Sequence, residues 1–144
     1  MNMLTDESLR TLNVNLRIES PVQARAARAE IGASLRARAA ADSDFAAAEL
    51  IVSELVGNAL KHGYGDVSLL LHWEEEWAIL HVVSEGDPFD LPAGLPEEPS
   101  SESGRGLFLV AQISLGLQIE REGDANRVRV VLPVRNAKPV RTSP

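Results

Sequence analysis

The spacing between apolar residues changes along this chain, and the order of these spacings limits the folds that it can adopt. Residues 12–18 alternate apolar and polar side chains, which predicts a strand with one buried face. Two segments with helical patterning follow, "PVQARAARAEIGASLRARAA" from Pro21 and an apolar segment from about residue 45 to residue 61. The rest of the chain is mainly strand-like, so we expect both helices and a sheet.

Four further strands are predicted in the second half of the chain, in two pairs. "VSLLLHW" and "WAILHVV" flank three glutamates, which suggests a hairpin, and "LQIERE" and "RVRVVLPV" flank a turn at "GDAN". Between the pairs, residues 87–103 contain four prolines and predict a long irregular loop. "GRGLFLVAQIS" then predicts a helix that is opened by two glycines.

The element order β-α-α-β-β-loop-α-β-β indicates the fold class. The strands outnumber the helices and are mostly joined as hairpins, whereas a doubly wound sheet would alternate strand and helix throughout. We therefore expect an α+β fold, a two-layer sandwich with a mixed, mostly antiparallel sheet and helices on one face. The 144 residues fit one domain, residues 1–136, followed by a polar tail at residues 137–144.

Composition limits the partners and the compartment. The net charge of −7 argues against a nucleic-acid partner, because phosphate backbones require a basic surface. The absence of cysteine excludes disulfides, thiolate chemistry and Cys-ligated zinc. No apolar run approaches the roughly 20 residues of a membrane span, and the N-terminus lacks the apolar region of a signal peptide. We expect a cytoplasmic protein that makes no membrane contact.

Capping residues set the expected ends of the two long helices. Ser20 followed by Pro21 is typical of an N-cap and a first helical residue. Asp42 or Ser43 is the expected N-cap of the second helix, and Gly63 is its expected C-terminal glycine. The expected apolar face of the first helix comprises Val22, Ala26, Ala29 and Leu35.

The second predicted helix carries polar residues beside its apolar face, in the stretch "SELVGNALKHG". Spacings of three and four residues place Glu54, Asn58 and either Lys61 or His62 on one face. Carboxylate and amide oxygens suit Mg²⁺ or its bound water, and the carboxylate could take the proton of an attacking hydroxyl. The alternative is a solvated helix edge, with His62 contacting only the helix dipole. The neighbouring residues expected to be buried are Val52, Leu55, Val56 and Ala59.

Two later stretches could also contact a nucleotide. "GRGL", from Gly104 to Leu107, would expose backbone N–H groups at a helix N-terminus, which suits phosphate, and Arg105 could add a charge-assisted contact. "VVSEGDPFD" ends a strand with an acidic residue that could accept a hydrogen bond from a base, next to Gly86, which allows a ring to approach the backbone. Each stretch taken alone is also consistent with an ordinary turn.

Taken in this order, the three stretches resemble the GHKL superfamily of ATP-binding domains, whose Bergerat fold is shared by histidine kinases and anti-sigma factor serine kinases. "ELVGNALKHG" is similar to the N box of the superfamily, "SEGDPFD" to its first glycine box and "GRGL" to its second. The resemblance extends from about residue 12 to residue 134. Within the superfamily, the size of the chain and the strand and helix before the N box resemble the anti-sigma factor kinases.

The resemblance implies a site for ATP and Mg²⁺. Glu54 would be the general base, and Asn58 would be the Mg²⁺ ligand that ties the metal to the phosphates. Residues 87–103 would form a lid over the nucleotide, hinged at Gly104 and Gly106. The other residues implied to bind the nucleotide are His62, Ser84, Glu85, Gly86, Arg105 and Leu107.

One departure from the family pattern affects recognition of the base. The first glycine box of the family has an aspartate two residues before its glycine, and that aspartate reads the adenine amino group. Here Ser84 precedes Gly86 by two residues, and Glu85 would take the role only if one residue were deleted. Losing a hydrogen bond to a charged acceptor costs about 1.5–3 kcal/mol, or roughly 10- to 150-fold in affinity.

Two functions are consistent with these residues. The first is a serine/threonine-protein kinase that phosphorylates a STAS-type antagonist protein and sequesters a sigma factor or similar regulator by partner switching. In that family a homodimer is common, and the first strand and helix could supply its contact. The second is a non-catalytic module that binds a partner through the same fold and has a degraded nucleotide pocket. An isolated histidine-kinase-like fragment is less expected, because no phosphoacceptor helix is present.

Overall fold

The computed structural model describes residues 12–88 and 102–137. Two helices follow the first strand, and the third helix lies between two strand pairs. The elements are β1 (Leu12–Ile18), α1 (Pro21–Arg38), α2 (Phe45–His62), β2 (Gly63–Glu74), β3 (Trp77–Gly86), α3 (Glu102–Ile113), β4 (Gly116–Glu122) and β5 (Ala125–Arg135).

The five described strands form one sheet in the order β1-β2-β3-β5-β4. Every pairing in this sheet is antiparallel, including the β2–β3 and β4–β5 hairpins. Because β5 inserts between β3 and β4, the chain must cross over through α3 before it returns. The α+β class predicted from the element order is confirmed, and the sheet is antiparallel throughout its described part.

The hydrophobic core lies between one face of the sheet and the three described helices. Alternate residues of β2, β3 and β5 contribute to it, as expected for strands with one buried face. Along α1, the fully or nearly buried residues are Ala24, Ala27, Ile31 and Leu35.

The apolar face predicted for α1 was therefore wrong except at Leu35. Val22 is 79% exposed, and the row that packs on the sheet runs back from Leu35 through Ile31. Alanines occur all around this helix, so alanine positions carry no information on its orientation. Its two large apolar residues, Ile31 and Leu35, decide which face is buried, since they bury most area.

The N-cap of α1 is confirmed and that of α2 is corrected by one or two residues. Ser20 accepts a hydrogen bond from the backbone of Gln23, with proline at the first helical position. In α2 the cap is Asp44, which accepts from the backbone of Ala47 at 3.0 Å. The predicted caps contact β5 instead. The backbone N–H of Arg135 donates to Ser43, and the guanidinium of Arg135 pairs with Asp42.

Both hairpins form where the strand pattern predicted them. The β2–β3 turn consists of Glu75 and Glu76, with Glu75 at a positive φ of 55°. The β4–β5 turn places Gly123 at φ 60°, a conformation that glycine adopts without steric cost. The predicted turn "GDAN" is shorter than expected, because Ala125 and Asn126 already pair in β5.

Two buried histidines lie on the face of the sheet that is opposite to the helices. His72 and His81 alternate with the core residues Leu71 and Leu80, so their side chains point away from the core. Their Nε2 atoms are 3.1 Å apart and their rings are stacked, with centroids 5.2 Å apart. Nη1 of Arg127 lies 3.3 Å from Nδ1 of His81. The three side chains form a buried polar chain across β2, β3 and β5.

The arginine determines the protonation of both rings. A guanidinium only donates, so Nδ1 of His81 accepts, and Nε2 of the neutral ring donates to Nε2 of His72. The proton of His72 is then on Nδ1, which is buried without a hydrogen-bond partner in the described part of the chain. Burial lowers the pKa of His72, and burial together with His72 and Arg127 lowers the pKa of His81 to about 3.

We expect this pair to make the fold sensitive to acid. Both rings are neutral in the native state, whereas in the unfolded chain they take up protons near pH 6.5. The stabilising contribution is therefore complete above about pH 6.5 and is lost as the pH falls towards the native pKa of His81. Through His81, each fall of one pH unit in this range lowers the free energy of unfolding by about 1.4 kcal/mol.

The measurement is urea unfolding at about pH 7.5 and about pH 5, with His81→Gln for comparison. Glutamine can donate to His72 and accept from Arg127 without titrating. The native protein should lose about 2 kcal/mol more than the variant between the two pH values. Equal losses would show that His81 does not titrate on unfolding.

Candidate functional site

Glu54 and Asn58 lie one turn apart on the same face of α2, as their spacing predicted. Both side chains are half-buried. The apolar neighbours expected beside them, Val52, Leu55, Val56 and Ala59, are all buried. The amide of Asn58 makes no hydrogen bond to another residue of the described ranges, 12–88 and 102–137. It therefore retains both its oxygen and its N–H₂ group for a ligand.

The carboxylate of Glu54 packs against the backbone of α3. A Cβ atom built on Gly106 would overlap Oε2 of Glu54 and would lie 3.4 Å from its Cδ. Gly106 is itself buried, so α3 approaches α2 closely at this point. The absence of a side chain at residue 106 thus sets the position that the Glu54 carboxylate occupies.

The start of α3 corrects one prediction. The two glycines were predicted to open the helix, but the helix begins at Glu102. Gly104 therefore lies in its first turn and Gly106 in the next. The first four backbone N–H groups, from Glu102 to Arg105, are those without an intrahelical acceptor. Leu107 is 6% exposed and belongs to the hydrophobic core. The predicted lid falls mostly on residues 89–101, which lie outside the described residues.

The two candidates for reading a base lie on opposite faces of β3. Ser84 lies two residues after the core residue Val82, so it shares that face of the strand and faces the helices, and it is 7% exposed. Glu85 is exposed and points to the other face, where its Oε2 atom lies near Gly65. A ligand held between the sheet and the helices would meet Ser84 and not the side chain of Glu85.

The end of β3 packs directly on the end of α2. A Cβ atom built on Gly86 would lie 3.0 Å from the carbonyl oxygen of His62. A Cβ atom built on Gly63 would lie 2.6 Å from the carbonyl oxygen of Ala59 and 3.6 Å from Cβ of Ser84. Ser84 and Gly86 are thus brought to the same end of α2 that carries Asn58. His62 and Lys61 are exposed there, and each already takes part in an interaction.

Gly63 ends α2 as predicted, and its backbone conformation is one that does not require glycine. Its φ is −84°, in the extended region that any residue can adopt, and its N–H donates to Ala59. Glycine is required here because a Cβ atom would overlap the carbonyl oxygen of Ala59.

Two residues that sequence reasoning missed hold the segment after Gly86. Arg121 on β4 donates through Nη1 to the carbonyl of Gly86 and to Oδ1 of Asn126. Asn126 on β5 pairs across from Ser84 and donates through Nδ2 to the carbonyl of Asp87 at 2.9 Å. Their side chains extend the row of Ser84 across the helix-facing side of the sheet. No local motif marks them, because their role arises from strand register.

The polar groups present fit Mg²⁺ only in part. The described residues contain no cluster of three carboxylate or histidine side chains that could hold a metal by themselves. Mg²⁺ at phosphate sites needs only one or two protein ligands, since water and phosphate complete its shell. Asn58, with its uncommitted amide oxygen, is suited to that limited role.

The glycine contacts at the end of α2 predict a difference in stability between two alanine variants. Gly63→Ala should destabilise the protein by about 1–3 kcal/mol, because its Cβ would meet fixed backbone atoms. Gly57→Ala is the matched control, since nothing lies within 4 Å of a Cβ atom there. It should be neutral or stabilise by up to about 1 kcal/mol. Equal melting temperatures for the two variants would contradict the close approach.

Comparison with known families agrees with this geometry. A model of the histidine kinase-like ATPase domain matches residues 19–132 of the 144. No curated protein sequence matches the chain significantly. The matched range includes α1, α2, β2, β3, α3 and β4 and ends within β5. The chain therefore belongs to the histidine kinase-like ATPase domain family, and the resemblance to the GHKL superfamily of ATP-binding domains is confirmed at that level.

Proposed function

We propose that this chain is a cytoplasmic anti-sigma factor kinase that uses ATP to phosphorylate a serine or threonine of a STAS-type antagonist protein. When it does not hold the antagonist, it would sequester a sigma factor or similar regulator. Phosphorylation of the antagonist would decide which of the two partners is bound. One observation carries the proposal. The Glu54 carboxylate is held against the backbone of Gly106, with the uncommitted amide of Asn58 one turn away.

The first turn of α3 would bind the phosphates, and Asn58 would bind the metal that accompanies them. The first turn of α3 presents backbone N–H groups that have no intrahelical acceptor, and the positive end of its dipole favours phosphate. Asn58 would supply an oxygen ligand for Mg²⁺. Bound Mg·ATP supplies the γ-phosphoryl group that the acceptor hydroxyl attacks.

Glu54 would act as the general base. Its carboxylate accepts the proton of the acceptor hydroxyl as the new O–P bond forms and the bond to the leaving ADP oxygen breaks. The contact with Gly106 keeps the carboxylate next to the first turns of α3. A base held in position contributes more than a mobile one, because less freedom must be lost to reach the transition state.

A second function is favoured by Ser84. This residue occupies the helix-facing position of β3 where the family pattern has an aspartate. A hydroxyl is a weaker acceptor than a carboxylate, so the base would be bound less tightly. In the alternative, the fold serves as a partner-binding module that transfers no phosphate. A homodimer with a contact through β1 and α1 is compatible with either function.

Titration calorimetry with ATP and Mg²⁺ separates the two functions. We expect binding that Asn58→Ala weakens at least about tenfold, since it removes the metal ligand. Ser84→Asp should strengthen binding by roughly tenfold or more, because it restores a charged acceptor for the base. Gly57→Ala adds a Cβ atom that meets nothing within 4 Å, so this variant should bind ATP as the native protein does.

Absence of binding by both the native protein and Ser84→Asp at millimolar ATP would overturn the kinase proposal and leave the partner-binding module. Binding that is unaffected by Asn58→Ala would place the nucleotide elsewhere.

Phosphoryl transfer to purified STAS-domain proteins tests the role of Glu54. Glu54→Gln should lower the transfer rate by about 10²- to 10⁴-fold, because an amide cannot accept the hydroxyl proton, and should leave ATP affinity nearly unchanged. Gly106→Ala should also slow transfer, since its Cβ would displace the flexible Glu54 side chain and little else. Its melting temperature should stay near that of the native protein. Full activity of Glu54→Gln would exclude it as the base.

A further inference from the structure

The surface of α1 differs in charge from the rest of the chain. The protein has a net charge of −7, yet α1 carries four arginines and a single glutamate. The two arginines at its C-terminal end already have partners. Arg36 pairs with Glu49 at 2.9 Å and lies 4.4 Å over the ring of Phe45, and Arg38 lies over the ring of Trp73.

A groove runs between α1 and α2 on their solvent side, away from the sheet. It encloses about 790 Å³. Its apolar wall includes Leu50, which is 40% exposed and is among the few large apolar residues that are so accessible in the described ranges. We call this feature the α1–α2 groove, and its principal lining residues are Arg28, Ala29, Gly32, Arg36, Glu49 and Leu50.

Gly32 leaves a gap in the middle of the α1–α2 groove. Nothing lies within 4 Å of a Cβ atom built at this position. Glycine inside a helix is less favourable than alanine. Gly57 is equally open, but it is exposed and lies outside the α1–α2 groove, whereas Gly32 is half-buried and lines the groove. An inserted side chain from another molecule would fill the space.

The ends of the α1–α2 groove differ in charge. Arg28, Gly32 and Arg36 follow one another at intervals of four residues, so they form one row along α1, about 12 Å long. Arg36 is neutralised by Glu49, whereas no ion pair or hydrogen bond joins Arg28 to another residue in 12–88 or 102–137. The groove thus presents a half-buried positive charge beside an apolar notch.

We propose that the α1–α2 groove is a docking site for an acidic amphipathic helix of a partner protein. An apolar side chain of that helix enters the notch at Gly32, beside Leu50, and a carboxylate pairs with Arg28. A groove between two helices receives a third helix through side chains spaced one turn apart, and a row 12 Å long matches about two turns.

The α1–α2 groove is separate from the nucleotide site. It lies beside Leu50 and Ser53 on the outer side of α2, whereas Glu54 faces α3. The proposal therefore goes beyond the kinase function and does not require ATP binding, and its test contains no nucleotide.

The probe is a synthetic helical peptide of about 20 residues with leucine on one face and glutamate beside it, long enough to be partly helical alone. A second peptide carries lysine in place of glutamate. Backbone NMR of the ¹⁵N-labelled native protein is followed during each titration. We expect the acidic peptide to bind with a Kd below about 1 mM and to shift amide signals of residues 28–36 and 46–53. The basic peptide should bind at least tenfold more weakly.

Two variants locate the contact. Gly32→Leu should fill the notch and weaken peptide binding at least tenfold, whereas Gly57→Leu, the matched helical glycine outside the groove, should leave it within about twofold. Arg28→Glu should weaken binding of the acidic peptide at least threefold. Equal binding of both peptides, no binding at all, or no effect of Gly32→Leu would overturn the proposal. Sedimentation could also show that the native protein is a dimer and that Gly32→Leu is a monomer. A second copy of this chain would then occupy the groove, and the proposal would be overturned.

Discussion

Close backbone contacts around α2 hold the parts of this protein in their functional arrangement. Gly63 and Gly86 allow the end of β3 to reach the last turn of α2, and Gly106 allows α3 to reach Glu54. A side chain at Gly63 or Gly86 would meet backbone atoms, which cannot rotate away, so these two contacts tolerate little change. The helix that carries Glu54 and Asn58 is therefore fixed to the sheet at one end and faces α3 along its side.

The interface between the sheet and the helices is mostly apolar, and buried polar residues lie at one edge of it. The helix-facing side of the sheet is apolar until its last row, where Ser84 and Asn126 lie side by side. Asn126 and Arg121 use their hydrogen bonds to hold the backbone at Gly86 and Asp87. The buried amide of Asn126 is thus paired within the fold, which offsets the cost of removing it from water. On the other face, His72 and His81 are paired in the same way, and one N–H of His72 remains without an acceptor in the described part of the chain.

Much of the architecture could be predicted, and the errors have common physical causes. Every described strand and helix was expected from its apolar spacing, with ends displaced by a few residues. The buried face of α1 was misassigned because alanine fits any face, and the N-cap of α2 was misassigned because Asp42 and Ser43 contact β5. The start of α3 was placed two residues late, because Gly104 and Gly106 were taken to open the helix. Within the candidate site, Glu54 and Asn58 followed from helical spacing, whereas Arg121 and Asn126 did not.

The sequence by itself determined what depends on neighbours a few residues apart: the helices, the hairpins, the polar face of α2 and the family to which the chain belongs. Tertiary structure alone decided which distant groups meet. Strand register put Ser84 on the helix side and Glu85 on the other, and it made His72 and His81 diagonal neighbours on one face. Helix packing brought Gly106 to Glu54 and left Gly32 facing an open groove. These outcomes depend on three-dimensional contacts between elements far apart in the chain, and no local pattern of residue types encodes them.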